Sequence, residues 1–483
     1  MSFPAPGRHP DLAAFLAHWR ATDPGMGAEA VVPGPAGPLA RPSPIALRGR
    51  VPGNRFCVQP MEGWDAERDG RPTADTLRRW RRFGESGAKL VWGGEAFAVC
   101  REGRANPRQL FFGEPATTRA VLVDLLEALR AGHRDAGLDD ADLAVGLQLT
   151  HSGRFSRPDG APAPLRVVAR PELEAQLGVG ADAPILDDAA LARIADRFVA
   201  LAVLARDAGF DFVDVKCCHG YLLHELLGAR EREGNWGGSL ERRSAYVLEI
   251  IERIRAAAPE LEVGVRLSAA DLAPFGPDPV TGVGRPREER DGPRGFGRAG
   301  RDPIGWDLEE PAGFLRRLVG AGTRLVNLTL GSPYYNPHAQ RPAAHPPSDG
   351  YLPPEDPLVG VARHLRLARE IRAANPDLVL VGTGYSYLQE WLGAVAQHEV
   401  RRGAVDFVGL GRMMLVYPEI VRDLLEGRPL VRRRICRTFS DCTTAARLGL
   451  PSGCYPLDDH YRSRAEDAAR VRSFRRSSRG GED

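Results

Sequence analysis

The sequence predicts an α/β fold: a (β/α)8 TIM barrel with an irregular N-terminal segment and a C-terminal extension. Eight short apolar runs alternate with helical patterns over roughly 380 residues, and two long loops, 275–306 and 331–357, each follow a predicted strand. An open doubly wound sheet that binds a dinucleotide would be expected to have a glycine-rich turn after its first strand. The two nearest matches, at 381–388 and 408–415, do not complete G-x-G-x-x-G. The barrel is therefore the favoured fold.

The predicted strands are the eight apolar runs, each short enough to span a barrel wall. They occupy residues 55–59, 89–92, 143–149, 210–215, 261–267, 324–328, 378–381 and 406–410. Six segments between them have apolar residues spaced near 3.6 and predict helices. These are 73–87, 117–132, 187–209, 239–259, 310–322 and 356–376. Several end on Gly or Pro, the expected stop signal, and Ser239 and Asp188 are well placed as N-caps.

Composition divides the chain into three predicted parts. Residues 1–50 form an irregular N-terminal segment, 51–430 the barrel, and 431–483 a cysteine-containing cap with a basic tail. The stretch 28–54 is rich in Pro, Gly and Ala, which favours irregular structure. The Arg-rich end RSFRRSSRGGED is predicted to be a solvated tail.

The charge balance and the cysteine content limit the classes of binding partner and the cellular compartment that the sequence favours. Lys+Arg total 65 against 63 for Asp+Glu, a net charge of +2, so no global field favours nucleic acid or an anionic membrane. No run approaches the ~18 apolar residues of a spanning helix. The start lacks the pattern of a signal peptide, and the seven cysteines do not resemble a secreted disulfide framework. We expect a cytoplasmic protein that acts on a small molecule, whose irregular ends could serve as arms of a homo-oligomer.

In a barrel, residues that follow the strands meet at one mouth. The fourth strand ends in KCCHGY, 216–221, which brings a cation, an imidazole and a phenol to that mouth. The seventh and eighth strands end in GTGYS and GLGRMM, whose glycines let backbone N–H groups approach a ligand closely. Arg412 adds a charge there. We therefore predict a phosphate between the last two strands, the usual anion site of this fold.

Six stretches in order along the chain resemble the old yellow enzyme family of flavin-dependent oxidoreductases, which are FMN-binding (β/α)8 barrels. The resemblance covers most of residues 50–430 and implies FMN as cofactor and NAD(P)H as reductant. The stretches are NRFCVQPM (54–61), LQLTHSGR (147–154), HGYLLHELL (219–227), NWGGSLERR (235–243), VGVRLS (263–268) and DFVGLGR (406–412).

The resemblance implies a position for each matching residue around the flavin ring. Pro60 and Met61 would line the ring through backbone contacts, with Ala96 beside it. Gln148 would hydrogen-bond the pyrimidine end. Arg266 would sit by N1/O2, where a cation stabilises the negative charge of reduced flavin.

The resemblance also implies that Gly384, Gly411 and Arg412 hold the FMN phosphate. Glu62 departs from the pattern, because relatives commonly carry Thr or Cys there, close to the flavin C4=O and N5. A charged carboxylate facing the ring would lower the reduction potential by disfavouring electron-rich flavin.

The implied reaction is ene-reduction, in which hydride passes from flavin N5 to the β-carbon of an alkene conjugated to a carbonyl. Two donors on the fourth strand grip the carbonyl oxygen, and a tyrosine protonates the α-carbon. His219 matches the second donor and Tyr221 the proton donor. Lys216 stands where the first donor is usually His, with an unperturbed pKa near 10.4 against roughly 6.5 for histidine. It could polarise a carbonyl, favour a carboxylate-bearing substrate, or form a structural ion pair.

Two other functions stay open. Lys216 could form a Schiff base in a barrel lyase or aldolase, or the chain could be a flavin-binding barrel without ene-reductase activity. A borohydride-trapped colourless protein would indicate the first, and a flavin that reoxidises only with oxygen would indicate the second. The natural substrate and the choice between NADH and NADPH are not determined by the sequence.

The remaining cysteines predict structure rather than chemistry. Cys217 and Cys218 are expected to be small buried packing residues. Larger relatives carry a four-cysteine iron–sulfur motif after the barrel, but here only Cys436, Cys442 and Cys454 remain, with Phe439 where a further ligand would be expected. We interpret this segment as a degenerate remnant serving as a structural cap, without a metal. A three-cysteine cluster, or a zinc site with His460 as fourth ligand, is the alternative.

Overall fold

Parallel strands form the centre of the molecule. The structure is a computed structural model that describes residues 3–180, 182–287, 289 and 295–477. Its strands are β1 Phe56–Val58, β2 Leu90–Val91, β3 Ala96–Ala98, β4 Ala144–Thr150, β5 Phe212–Val215, β6 Glu262–Ser268, β7 Phe275–Pro277, β8 Gly284–Pro286, β9 Leu325–Thr329, β10 Val379–Gly382 and β11 Phe407–Leu410.

Eight of these strands close into a barrel, which confirms the predicted fold. Their order is β2-β1-β11-β10-β9-β6-β5-β4, and the parallel pairing of β2 with β4 completes the ring. Each predicted run overlaps one of these eight strands. Two features were not predicted: β3 extends the pairing along β4, and β7 and β8 form an antiparallel hairpin within the loop after β6.

Helices surround the barrel and follow its strands. The six predicted helical segments correspond to α2, α3, α5, α7, α8 and α10. The α-helices of the described residues are α1 Leu12–Thr22, α2 Ala74–Glu85, α3 Pro115–Asp135, α4 Pro171–Leu177, α5 Asp188–Ala208, α6 Leu222–Leu227, α7 Leu240–Ala257, α8 Glu309–Gly320, α9 Pro337–Gln340, α10 Pro357–Ala374, α11 Leu392–Arg401, α12 Met413–Val416, α13 Ile420–Glu426, α14 Asp441–Arg447, α15 Asp459–Arg462 and α16 Ala465–Ser477.

One of the two predicted N-caps is confirmed and the other is wrong by one residue. The Ser239 side chain accepts a hydrogen bond from the Arg242 amide at the start of α7. For α5 the cap is Asp187, whose carboxylate accepts from the Ala190 amide at 2.7 Å. Asp188 is already the first helical residue, and its carboxylate binds Arg232 instead.

Apolar side chains fill the end of the barrel at which the strands begin. They include Trp92 and Phe212, whose rings meet edge to face with centroids 5.3 Å apart, and Leu47 from the preceding segment. All three side chains are buried. Because this end is packed, space for a ligand is left only at the carboxyl ends of the strands, as is usual for this fold.

The chain ends differ in part from the prediction. The expected irregular segment contains one regular helix, α1, whose Trp19 indole donates to the Leu358 carbonyl at 3.1 Å. Helix α16 extends into the predicted basic tail, and residues 478–483 of that tail lie outside the described residues, as do 288 and 290–294 of the loop 275–306. Within the part of the chain that is described, we find no helix with the length and apolarity that crossing a membrane requires.

Candidate active site

One cavity opens at the carboxyl ends of the barrel strands, with a volume of about 1210 Å³ including the space open to solvent at its mouth. Most of the predicted site residues line it: Pro60, Met61, Glu62, Gln148, Lys216, His219, Tyr221, Arg266, Gly384, Gly411 and Arg412. Ala96 is the exception. It is buried in β3, paired with Gln148 of β4, and does not line the cavity.

Asp214 on β5 fixes the floor of the cavity. Its carboxylate accepts hydrogen bonds from the Gln148 side-chain amide at 2.5 Å and from the Trp92 indole at 2.8 Å. It also accepts from the backbone N–H of Arg266 at 2.6 Å. Burial raises the pKa of Asp214 to about 6, although these donors oppose the rise. Gln148 is thus held with its amide nitrogen toward Asp214, which leaves its carbonyl oxygen for a ligand.

Three arginines bring positive charge to the cavity without a negative partner. Arg266 projects from β6, Arg341 from the loop after α9, and Arg412 from the end of β11. Among the described residues, none of the three forms an ion pair. Each also has one nitrogen that is buried without a hydrogen-bond partner: Nε of Arg266, Nη2 of Arg341 and Nη1 of Arg412. Arg266 is buried, and Arg341 and Arg412 are half-buried. Cations that are partly withdrawn from water without a partner are costly, so this arrangement fits an anionic ligand.

A tight turn at the end of β5 presents His219. The backbone at His219 and Gly220 is left-handed, with φ of 70° and 77°. A Cβ at position 220 would lie 2.9 Å from the Tyr335 ring, so glycine is required there. The turn is fixed because the His219 N–H donates to Ser268 Oγ and the His219 carbonyl accepts from Ser332 Oγ. Burial, with Arg266 and Lys216 nearby, holds the pKa of His219 well below its usual value, so its imidazole is neutral.

Lys216 and Glu62 form an ion pair inside the cavity. Lys216 Nζ lies 3.0 Å from Glu62 Oε1 and 4.0 Å from the centroid of the Tyr221 ring. The Trp64 indole donates to Glu62 Oε2 at 2.8 Å. The two departures from the family pattern therefore compensate each other's charge, and the lysine both faces the cavity and belongs to an ion pair.

Tyr221 contacts a second tyrosine that the sequence did not indicate. The hydroxyl oxygens of Tyr221 and Tyr334 are 2.5 Å apart, and the Tyr221 hydroxyl lies 3.3 Å from Glu62 Oε2. The Tyr334 ring also stacks on Phe155, with centroids 4.4 Å apart. Burial, with the Glu62 charge second, raises the pKa of Tyr221 well above its usual value, so the phenol keeps its proton.

Residues after the barrel complete the mouth of the cavity. The cap segment, defined here as residues 436–457, contributes Cys442, Thr443, Ala446, Arg447 and Ser452 to the lining. The Arg447 guanidinium lies 5.7 Å from the centroid of the Trp64 ring. The predicted structural cap therefore also forms one wall of the site.

The cysteines of the cap segment are free thiols in the structure. Within the described residues, no group of three or more His, Cys, Asp or Glu side chains is arranged to hold a metal ion. His460, considered as a fourth zinc ligand, is engaged elsewhere, since its Nε2 lies 2.9 Å from Asp75 Oδ1.

Cys217 and Cys218 have no exposed surface. Burial raises the pKa of Cys218 to about 12, so this thiol stays protonated. The prediction that both are buried packing residues is confirmed.

Sequence reasoning missed several residues of this site, among them Asp214, Tyr334, Arg341 and Thr443. Asp214 could have been found, because it lies two positions before Lys216 and so shares its face of the strand. Tyr334 lies close behind the sixth predicted strand, where an aromatic pair is a weak signal. Arg341 lies in an irregular loop, and Thr443 lies in the short helix α14 outside the barrel, so neither position carries such a signal.

The comparisons with known proteins agree with this geometry. The model of the NADH:flavin oxidoreductase / NADH oxidase family matches residues 137–279. An NADH:flavin oxidoreductase of Gibberella zeae is 26% identical over 400 residues, which are 79% of this chain and 84% of that protein. The chain is thus similar to NADH:flavin oxidoreductases in sequence and to an old yellow enzyme homologue in fold.

Two solved structures support the barrel fold. The old yellow enzyme homologue from Zymomonas mobilis superposes with a TM-score of 0.58 at 19% identity, covering 87% of this chain and 98% of that one. A 2-naphthoyl-CoA reductase superposes with a TM-score of 0.63 at 18% identity, covering 88% of this chain. The chain spans only 57% of that longer protein.

The similarity to old yellow enzyme proteins implies FMN, and the residues of the cavity fit it. FMN combines a phosphate of about −2 charge with a ring that becomes negative on reduction. The buried unpaired nitrogens of Arg266, Arg341 and Arg412 supply the matching positive charge. Gly384, with φ of 96°, and Gly411 leave backbone exposed beside Arg412. Gln148, held by Asp214, offers a fixed amide to a ring edge.

Proposed function

We propose that this chain is an FMN-dependent NAD(P)H oxidoreductase that reduces an alkene conjugated to a carbonyl. The observation that carries the proposal is the convergence of Lys216, His219 and Tyr221 on the same cavity as the unpaired arginines. An anion-binding end and a set of proton and hydrogen-bond donors thus share one space. Bound FMN would supply the hydride from its N5.

His219 would grip the carbonyl oxygen of the substrate through Nδ1. Its Nε2 lies 3.1 Å from the Gln340 amide nitrogen, and a hydrogen bond donated by that amide would leave the ring proton on Nδ1. The low pKa of His219 keeps the imidazole a neutral hydrogen-bond donor. Lys216 would be the other donor, because an ammonium has three N–H groups and Glu62 takes one of them.

Tyr221 would protonate the α-carbon. Its raised pKa means that the proton is present at neutral pH, and the Lys216 ammonium beside the ring stabilises the phenolate that forms. Tyr334 is then the nearest group that can return a proton, since its hydroxyl is 2.5 Å away and its side chain is only partly buried.

The Lys216–Glu62 pair disfavours the Schiff-base alternative. A lysine nucleophile must lose its proton, and a carboxylate at 3.0 Å stabilises the protonated form. The third function, a flavin-binding barrel without alkene reduction, is separated from the first by experiment.

The test is the visible spectrum of the purified protein during anaerobic turnover. We expect a yellow protein that bleaches with NADH or NADPH and recovers its colour when an enone is added. A protein that binds no flavin would contradict the proposal as a whole. If no enone of a broad panel reoxidises the reduced flavin, the assignment of the flavin site would stand and the ene-reductase reaction would be ruled out.

A further inference from the structure

We infer that Arg341 and Arg412 together form a two-arginine site for the FMN phosphate, and that the cap segment holds Arg341 in it. The inference rests on the proposed function, because it assigns a binding group to the same cofactor. It adds a residue that the family resemblance does not supply, and it gives the cap segment a role in cofactor binding.

The two guanidinium groups come from different segments of the chain. Arg412 follows β11, beside Gly411, whereas Arg341 lies in the long loop after β9. Arg412 Nη2 donates to the carbonyl of Pro342, the residue that follows Arg341, at 2.6 Å. This hydrogen bond brings the loop against the end of β11, so both side chains enter one end of the cavity.

Each of the two groups is only partly satisfied. Arg341 Nη1 donates to Thr443 Oγ1 at 2.6 Å, and its Nη2 is buried without a partner among the described residues. In Arg412, Nη2 is bonded and Nη1 is the buried nitrogen left over. Each guanidinium therefore keeps one hydrogen-bond donor that no described residue accepts. A phosphate dianion has the charge and the acceptor oxygens to take both.

Like charges this close repel each other, and burial makes the repulsion stronger. The pKa of Arg341 is lowered to about 10 by burial first and by the charges of Arg412 and Arg447 next. A nearby carboxylate does not relieve the pair, because Asp349 binds Arg447 instead. A bound dianion would convert this repulsion into attraction for both groups.

The cap segment fixes the loop that carries Arg341. Besides the Thr443 contact, Thr438 Oγ1 accepts from the Ala344 amide at 3.0 Å, and Ser440 Oγ donates to the His345 carbonyl at 2.6 Å. The Ser348 amide donates to Thr444 Oγ1 at 3.2 Å. Four side chains of one short stretch thus bind one loop. Without them, Arg341 would lose the Thr443 contact that holds its guanidinium in place beside the cavity.

The test compares two ligands that differ only in the phosphate. FMN and riboflavin are titrated into flavin-free protein, and their dissociation constants are measured by flavin fluorescence. Arg341→Gln is expected to weaken FMN binding at least ~10-fold, the size of a lost charge-assisted hydrogen bond, with riboflavin binding unchanged. Thr443→Val should weaken FMN binding by a smaller factor, again without an effect on riboflavin.

Two further variants control for charge and for folding. Arg317→Gln makes the same charge change on α8, where Arg317 pairs with Glu241, and should leave both dissociation constants as in the wild type. Arg341→Lys keeps the charge and loses the planar fork, so its FMN affinity should fall between those of the wild type and Arg341→Gln. Riboflavin binding itself reports that each variant is folded.

The outcomes separate this inference from the proposed function. If the wild type binds neither flavin, the proposed function fails. Two results with a wild type that binds FMN would show that the two-arginine site is wrong while the proposed function stands. In the first, Arg341→Gln binds FMN as tightly as the wild type does. In the second, Arg341→Gln loses affinity for FMN and for riboflavin equally. A variant with normal FMN binding and a raised KM for carboxylate-bearing enones would assign Arg341 to the substrate and would also overturn the inference.

Discussion

The two ends of the cavity treat positive charge in opposite ways. At the fourth barrel strand, Lys216 is compensated within the chain by Glu62 at 3.0 Å. After the sixth and eighth strands, Arg341 and Arg412 have no carboxylate partner among the residues described. Since uncompensated buried charge costs several kcal/mol, the lysine end is complete without a ligand and the arginine end is not. We therefore expect an anion at the arginine end and a neutral, polarisable group at the lysine end.

The largest effect is expected when the proton donor at the lysine end of the cavity is removed. Tyr221→Phe is expected to slow alkene reduction by about 10²–10⁴-fold, the usual contribution of a positioned general acid. Reduction by NAD(P)H should be almost unchanged, because that step needs no proton from Tyr221. Rapid-mixing measurements of the two half-reactions provide the check. Tyr351→Phe, which removes a hydroxyl bonded to His338 in another cluster, is the control. Equal loss in both half-reactions would contradict the assigned role.

The next largest effect is expected at the arginine end. Arg412→Gln should weaken FMN binding by about 10- to 100-fold, because hydrogen bonds to charged groups contribute about 1.5–3 kcal/mol. The double variant Glu62→Gln/Lys216→Met removes a charge pair as a unit, and we expect it to keep the FMN dissociation constant within about threefold. Fluorescence titration of flavin-free protein measures both. If the double variant loses as much FMN affinity as Arg412→Gln, the two ends do not differ as described.

Breaking the ion pair on one side tests whether the lysine end is self-compensated. Glu62→Gln leaves the buried Lys216 ammonium without its partner, so we expect it to lower the free energy of unfolding by about 1–2 kcal/mol. This is less than a fully buried pair would give, because Glu62 is partly exposed. The double variant should recover part of that loss. Denaturant unfolding of flavin-free protein measures the set, and strictly additive effects would show that the pair contributes nothing.

The smallest effect concerns the flavin itself. Glu62→Thr should raise the midpoint potential, since a carboxylate near the ring disfavours electron-rich flavin. Lys216 already offsets much of that charge, so we expect a shift on the order of 30 mV, equivalent to about 1.4 kcal/mol for two electrons. Potentiometric titration against a reference dye gives the value. An unchanged potential would mean that the carboxylate does not act on the flavin.

The fold was predictable because each of its parts has a local signal. A barrel strand buried on both faces reads as an apolar run, and the helices between strands keep a 3.6-residue spacing. The error at Asp188 arose because two adjacent aspartates both fit a cap, and only the backbone angles decide between them. The hairpin β7–β8 was missed because its strands have three residues each and little apolar character.

The site residues likewise divide into those that the sequence could predict and those that it could not. Residues at strand ends, such as Lys216, His219 and Arg412, could be placed because barrel geometry brings those positions together. The pairing of Lys216 with Glu62 could not be predicted, since it depends on how two side chains from different strand ends are oriented. Arg341 and the cap segment were out of reach, because their approach depends on the path of long irregular loops.

The neighbouring positions of the first and last barrel strands have a consequence for synthesis on the ribosome. Strand β1 pairs with β11, so the ring cannot close until residue 410 has left the exit tunnel, and Thr443 emerges later still. Domains usually fold from their N-terminal parts as translation proceeds at about 5–20 residues per second. Here the chain must be made at least to Thr443 before the cavity exists, so cofactor loading is expected to follow the synthesis of both the barrel and the cap segment.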